Sequence, residues 1–483
     1  MPFVSVEFLV ALPLALLAYY GFRRLAPASS VPLIILLSIA FIAQDGLRAL
    51  IILSVSVLAN YAFARLVVAM RTPNLAIVGV VANLLYLGYF KYFDFLIGQF
   101  LELGGPTTIL PLGISFYTFH QVAFLLDLRS RRLDQLPRFR DYVAFVFFFP
   151  QLVAGPIVRA EQFFPQLPWL NSLAVPPAWI LAGTAAFLIG LAKKTVLADN
   201  LARYATPVFD AASAGTALTP GDSWIGALAY TFQLYFDFSG YSDMAVGLAL
   251  LLGIRLPFNF DAPYKAASIA EFWRRWHITL STFLRDYLYV PLGGSRATLA
   301  RQCLNVFIVM LVCGLWHGAG WTFVAWGALH GLALVAHRLW RSLIDRHAPG
   351  WDAQRWYRPV SMGLTFLFVT LAWVLFRASD FEAASIVYAG MTSTGEPART
   401  LLLSDDTNIA ILLIALSVII CTVFPSLPQM LGTSARQERD AHAVGSALNW
   451  RPSALRAVGL GLLGFLSVTF LQEGYSEFIY FNF

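Results

Sequence analysis

Charge is the scarcest property of this sequence. Only 12% of its 483 residues are Asp, Glu, Lys or Arg, about half the ~25% of a soluble globular chain. The soluble expectation of one domain per ~150 residues therefore does not apply. Cysteine is nearly absent too. Cys303, Cys313 and Cys421 stand in apolar surroundings, and no CxxC occurs, so neither a disulfide framework nor a zinc ribbon is supported. HExxH is missing, no two histidines are spaced i,i+4, and no dense carboxylate cluster occurs, which argues against a bound metal. GxSxG is missing, and Ser239 in FSGYS forms no nucleophile elbow. The ~10-residue alternating segments of a membrane β-barrel are not found. Neither is the inverted repeat of many transporters. The net charge of +6 comes without a basic-aromatic soluble module, so it reads as positively charged cytoplasmic loops and not as nucleic-acid binding.

What is present is apolar length. Hydrophobic residues make up 58% of the chain, and runs of near-spanning length recur from end to end. They predict an all-α polytopic membrane protein of roughly a dozen segments, organised as one membrane domain over residues 1–483. Phe3 to Phe22 is apolar apart from Glu7 and is followed by Arg23 and Arg24. A secretory signal has the opposite polarity, so this is read as an uncleaved first span with the N-terminus outside. Further apolar segments are expected over 31–44, 47–68, 75–89, 179–198, 224–254, 302–321, 360–376, 409–424 and 457–470, while the run 109–128 has its regular structure broken at the start by Pro111 and Gly113. Pro150, Gly155 and Pro156 make the run from Tyr142 to Val158 a broken or re-entrant helix. Asp210 to Asp222 reads as a loop, and Ser379 to Asp406 and Gln437 to Arg451 read as polar connections. The most basic run, Arg129 to Arg140, is expected in the cytoplasm, where it can also dock an acidic partner or a phosphate-bearing group.

Polar groups inside such a chain need a reason, because an ionised side chain near mid-bilayer costs ~2.5–3.5 kcal/mol on insertion scales. QLYFDFSGYSDMAVG places Gln233, Asp237 and Tyr241 at four-residue spacing on one helix face. Asp237 is either a structural partner for an Arg or Tyr, or part of a cavity wall with Tyr241. The stretch from Glu271 to Gly331 holds three of the seven histidines: His277, His317 and His330. Its first part, EFWRRWHITLSTFLRDYLYVPLGG, reads as an amphipathic interface helix with Glu271 and Arg275 available as an i,i+4 pair. Its last part, GLWHGAGWTFVAWGALHG, sets His317 between Trp316 and Gly318, where glycines allow close backbone approach. His330 and His337 lie about two turns apart on a face with Trp326 and Arg341, either stacked near His317 or at the surface. A neutral imidazole can take the proton of a hydroxyl attacking a thioester, and such acyl transfer also needs its oxyanion stabilised. His317 and His277 are the candidates for these two tasks. Packing or interface anchoring is the alternative for each.

Six pieces together resemble the membrane-bound O-acyltransferase (MBOAT) superfamily, and within it the bacterial alginate O-acetyltransferase branch and its cell-wall relatives. They are LPLGISFYTFH (110–120), FFPQLVAGPIVR (148–159), QLYFDFSGYSDMA (233–245), FWRRWHITLSTFLRDYLYVPLGG (272–294), GLWHGAGWTFVAWGALHG (314–331) and FIYFNF (478–483). They stand in the family's order along essentially the whole chain. One departure is His120, where Gln is expected directly after YTF and here follows as Gln121. The resemblance implies an MBOAT-type helical bundle around a membrane-crossing funnel, with His317 as the catalytic residue of WHG. His277 matches a second active-site position at which other branches place Asn. Trp316 and His330 are supporting candidates. The resemblance further implies a bacterial inner-membrane enzyme without a bound cofactor. Its acyl group would come from acetyl-CoA, or from an acyl-carrier thioester in teichoic-acid D-alanyl relatives. A separate SGNH-type acetyltransferase would complete transfer to an exported polysaccharide such as alginate, or to peptidoglycan in the cell-wall relatives. A polar-solute transporter, or a scaffold with a dead site, is the reading outside this class.

Overall fold

A computed structural model describes residues 3–101, 110–133, 135–171, 174–348, 350–394, 401, 404–432, 453–471 and 479. The described chain is helical, in the order α1 (Val6–Leu25), α2 (Ser30–Ala43), α3 (Leu47–Ala69), α4 (Leu75–Leu101), α5 (Ile114–Arg129), α6 (Phe139–Phe147) and α7 (Phe149–Leu152). It continues with α8 (Ala160–Phe163), α9 (Leu167–Leu170), α10 (Pro177–Ala192), a π-helical turn (Lys193–Ala198), α11 (Asp199–Ser213), α12 (Pro220–Leu251), α13 (Ile269–Arg275) and α14 (Ile278–Leu284). After a second π-helical turn (Arg285–Tyr289) come α15 (Leu299–His317), α16 (Trp321–His347), α17 (Tyr357–Arg377), α18 (Phe381–Thr392), α19 (Ser404–Val423), α20 (Leu427–Met430) and α21 (Ala454–Phe470). Among the described residues, seven helices have the length and apolarity to cross a bilayer, and two shorter apolar helices accompany them. The chain is thus an all-α, multi-pass membrane protein. The expected loop 437–451 and five of the six residues of the aromatic tail, all but Ile479, lie outside the described residues.

The contacts divide the chain into two compact units. The first comprises residues 1–192, 240–258 and 427–474. Its α10 meets the later half of α12 through glycines. A Cβ added at Gly183 would sit 2.8 Å from the Gly247 carbonyl oxygen, and one at Gly247 would sit 2.7 Å from the Phe187 nitrogen. Only glycine permits backbones this close. The stretch expected to break does so: Phe148 leaves helical geometry between α6 and α7, and irregular backbone follows α7.

The second unit comprises residues 193–239, 259–426 and 475–483. Its organising element is the α15–α16 hairpin. Gly314 and Gly327 face each other so closely that a Cβ on either would come 3.0 Å from the other's Cα. A Cβ on Gly331 would lie 2.9 Å from the Phe307 ring.

Two local expectations are corrected. The loop expected over 210–222 is confined to 214–219: α11 runs to Ser213, where Gly215 at φ +76° ends it, and α12 begins at Pro220. Proline suits a first helical position, since its missing N–H would have no partner there. The expected single amphipathic helix from Glu271 is also interrupted. It ends at Arg275 and restarts at Ile278, because His277 takes a left-handed conformation at φ 42°, ψ 54°.

Candidate active site

Helix α13 is held at both ends. Ser268 caps it by accepting the Glu271 N–H at 3.1 Å, and the Glu271 carboxylate accepts the Ala267 N–H at 2.9 Å. The same carboxylate takes a two-pronged bond from the Arg275 guanidinium at 3.0 and 2.9 Å, while Arg275 also donates to the Asp261 carbonyl at 3.0 Å. The chain then turns at His277. A left-handed residue with a side chain is uncommon and costs free energy, so its neighbours must hold it. Asn259 does so: its carbonyl accepts the Ile278 N–H at 2.9 Å and its side-chain oxygen accepts the Thr279 hydroxyl at 2.6 Å. Without this turn His277 would stay on the face of α13 that carries Trp273.

The second histidine arrives on the hairpin. His317 is the last residue of α15, and Gly318 continues in extended backbone where a Cβ would collide with the Phe323 ring. The reversal into α16 therefore requires glycine and leaves His317 turned inward, 2% exposed. Its ring centre lies 5.2 Å from Trp326, 5.2 Å from Phe376 and 6.5 Å from His277. His277 is fully buried, with Phe238 edge-on at 4.7 Å and Trp316 at 6.1 Å. Neither of its ring nitrogens has a hydrogen-bond partner among the described residues. Leaving a buried polar group unpaired costs ~1–3 kcal/mol, so His277 holds hydrogen-bonding capacity that the described residues leave unused. A single oxygen at about 2.9 Å from a nitrogen of each imidazole is compatible with the 6.5 Å separation of the ring centres.

His330 lies one ring further on. Its Nδ1 accepts the Trp273 indole N–H at 3.2 Å, so in the neutral ring the proton is on Nε2. Trp326 sits between the two histidines of the hairpin, 5.2 Å from His317 and 4.7 Å from His330, and stacks on Trp373 at 5.5 Å. Of the two placements open for His330, the buried stack is the one found, with Trp326 intervening.

The structure therefore brings His317, His277 and Trp316 together, with His330 in the adjoining aromatic layer. Asp237 and Tyr241 share helix α12 but not an environment. Asp237 is buried and ion-paired to Lys194 at 2.7 Å, and it accepts the Ile479 N–H at 3.0 Å. Lys194 also pairs with Asp199 at 2.8 Å. The charged partner is thus a lysine on the π-helical turn and not the Arg or Tyr expected. Tyr241 belongs to the first unit, where it stacks on Phe3 at 4.7 Å. Sequence reasoning missed Phe238, Phe376, Asn259 and Lys194. Only Phe238, beside Asp237 in the same motif, carried a signal that pointed to the site. Among the described residues no three His, Cys, Asp or Glu side chains gather in a way that would hold a metal ion.

Residues 52–376 match the model of the membrane-bound O-acyltransferase family. The chain is 41% identical over 416 residues to a peptidoglycan O-acetyltransferase of Helicobacter pylori, covering 79% of this chain and 77% of that protein. It is 39% identical over 437 residues to a probable alginate O-acetylase, AlgI, of Azotobacter vinelandii, covering 84% of each. A teichoic acid D-alanyltransferase of Streptococcus thermophilus is 30% identical over 292 residues, covering 55% of this chain and 68% of that protein.

Proposed function

Because the chain belongs to the membrane-bound O-acyltransferase family, and is thus a membrane acyltransferase that draws on an acyl donor, we propose that His317 is its general base and His277 its oxyanion partner. In this reading the whole chain is one acyltransferase domain. A neutral His317 nitrogen accepts the proton of the acceptor hydroxyl. The oxygen attacks the thioester carbonyl, and the carbonyl oxygen gathers negative charge. His277, carrying a proton on one ring nitrogen, donates to that oxyanion. Collapse breaks the C–S bond, and the imidazolium of His317 returns its proton to the departing sulfur. The observation that supports this reading most is the pair of buried imidazoles with ring centres 6.5 Å apart, one of them with both nitrogens unpartnered. Trp316, Trp326 and Phe376 keep bulk water from the reaction; His330 supports Trp273 and Trp326. Asp237 holds Lys194 and does not touch the reacting atoms.

The donor in this proposal is acetyl-CoA, and the polymer that finally carries the acetyl group is an exported polysaccharide such as alginate. A peptidoglycan acceptor is favoured by the Helicobacter pylori relative; a D-alanyl group from an acyl carrier protein is favoured by the Streptococcus thermophilus one. The setting is a bacterial inner membrane with the N-terminus outside, and an SGNH-type acetyltransferase completes the transfer. The deciding experiment is His317→Ala in cells, followed by mass spectrometry of surface polymers. Acetylation should disappear while the protein still accumulates in the membrane. Normal acetylation in that variant overturns the assignment of the base, and labelled acetyl-CoA against a loaded acidic carrier separates the donors.

A further inference from the structure

We infer that the first unit carries a binding site for an anionic phospholipid: an arginine rim for its phosphodiester and a lipid-facing groove between α3 and α4 for one acyl chain. This inference is independent of the acyl-transfer chemistry. The end of α3, the end of α5 and the start of α6 converge on one edge of that unit. Arg129, last residue of α5, donates to the Asn74 side chain between α3 and α4 at 3.2 Å, and the Tyr61 hydroxyl of α3 donates to the Pro137 carbonyl at 2.9 Å. Exposed arginines crowd this edge. Arg132 pairs with Asp127 at 3.7 Å and Arg140 with Asp141 at 3.1 Å. Arg65, Arg71, Arg131 and Arg138 are exposed, and among the described residues no carboxylate lies within 4.0 Å of them. Asp134, in the same loop, lies outside the described residues.

On the flank of α3 turned to α4, away from the flank that carries Tyr61 and Arg65, opens a cavity of about 270 Å³, lined by Val55, Ala59 and Phe63 of α3 and Gly79, Ala82 and Tyr86 of α4. These positions repeat at three- and four-residue spacing, so each helix gives one face to it. Val55 is 59% exposed, and Ala59 and Ala82 are exposed as well, so the groove opens on the outer surface. Its floor is polar but closed. Asn60 and Asn83 exchange side-chain hydrogen bonds at 3.1 and 2.6 Å, and Ser56 donates to Gln121 at 3.2 Å. At 1.5 Å per residue the groove runs from about 3 to about 15 Å from Arg65 along the helix. That depth is one leaflet of a ~30 Å hydrocarbon core, the span of a single acyl chain whose headgroup sits at the rim.

Charge complementarity selects an anionic headgroup, because guanidinium groups bind phosphate oxygens in paired hydrogen bonds. The apolar walls of the groove, over a floor whose polar groups are already bonded to one another, select a lipid over a soluble anion. The test uses the full chain purified in mild detergent, exchanged into mixed micelles of phosphatidylcholine and phosphatidylglycerol, with retained lipid counted by native mass spectrometry. Wild type should retain phosphatidylglycerol in preference to phosphatidylcholine. Arg71→Gln and Arg131→Gln, which follow α3 and α5 beside the α3–α4 connection, should each weaken retention by about fivefold. Ala59→Trp or Ala82→Leu, which fill the groove from an exposed position, should lower retention with every arginine in place. Soluble glycerol phosphate should not displace the lipid. The proposal is overturned if the two lipids are retained equally, or if glycerol phosphate competes. It is also overturned if both groove variants retain as much phosphatidylglycerol as wild type, which would make the rim a site for a soluble anion or an acidic protein.

Discussion

At the scale of single residues, two imidazoles are brought to neighbouring positions by different backbone devices. His317 inherits its position from a helix end and a glycine. His277 is forced into place by a left-handed turn that Asn259 secures. If His277 acts as a hydrogen-bond donor and not as a base, His277→Asn should retain most of the acyl-transfer rate, since an amide also donates. His277→Ala should lose about 10²–10³-fold in kcat, the usual cost of one oxyanion donor. Steady-state kinetics on the two variants checks this, and equal losses would make His277 a base or a packing residue. The types of both residues were legible in the sequence, because histidines stand out in apolar surroundings. That His277 leaves its helix was not legible: Trp273 and His277 satisfy the helical period, and the competing backbone geometry depends on Asn259, 18 positions earlier.

At the scale of elements, the Lys194–Asp237 pair joins the π-helical turn to α12 inside the second unit. A buried charge that loses its partner costs about 3–5 kcal/mol, whereas replacing both partners by apolar residues is often neutral. Lys194→Met and Asp237→Leu should each lower the unfolding midpoint sharply, and the double variant should recover most of the loss. Thermal unfolding in detergent reads the difference; additive losses would remove the pair from the fold's energetics. The sequence alone does not pair Lys194, which stands near the end of the span expected over 179–198, because its partner lies 43 positions further along the chain. The hairpin α15–α16 was more readable. Its glycines announced a close approach, and the structure supplied the faces, Gly314 against Gly327.

At the scale of the whole molecule, the exterior is apolar. Leu17 is 71% exposed, Leu412 68% and Phe465 69%, the pattern of a chain whose solvent is lipid. Leu412 lies near the middle of the span Asp406–Val423. Leu412→Arg should therefore cost about 2.5–3.5 kcal/mol of insertion free energy, read as the inserted fraction in microsomes. Leu412→Ala should insert normally. Equal insertion of the two would place α19 away from lipid.

Class was determined by the sequence itself. Scarcity of charge together with repeated spanning-length runs leaves little but a helical membrane protein, since hydropathy is a property of composition and needs no tertiary partner. The order of its motifs likewise identified the acyltransferase resemblance. What only the tertiary structure decided was grouping. Asp237 and Tyr241 stand four residues apart on one helix, yet one is tied to Lys194 and the other stacks on Phe3. His277 and His317 stand 40 positions apart, yet their rings are 6.5 Å from each other. Helical periodicity tells which residues share a face. It cannot tell what that face meets, because long-range packing and backbone turns set the distances between elements.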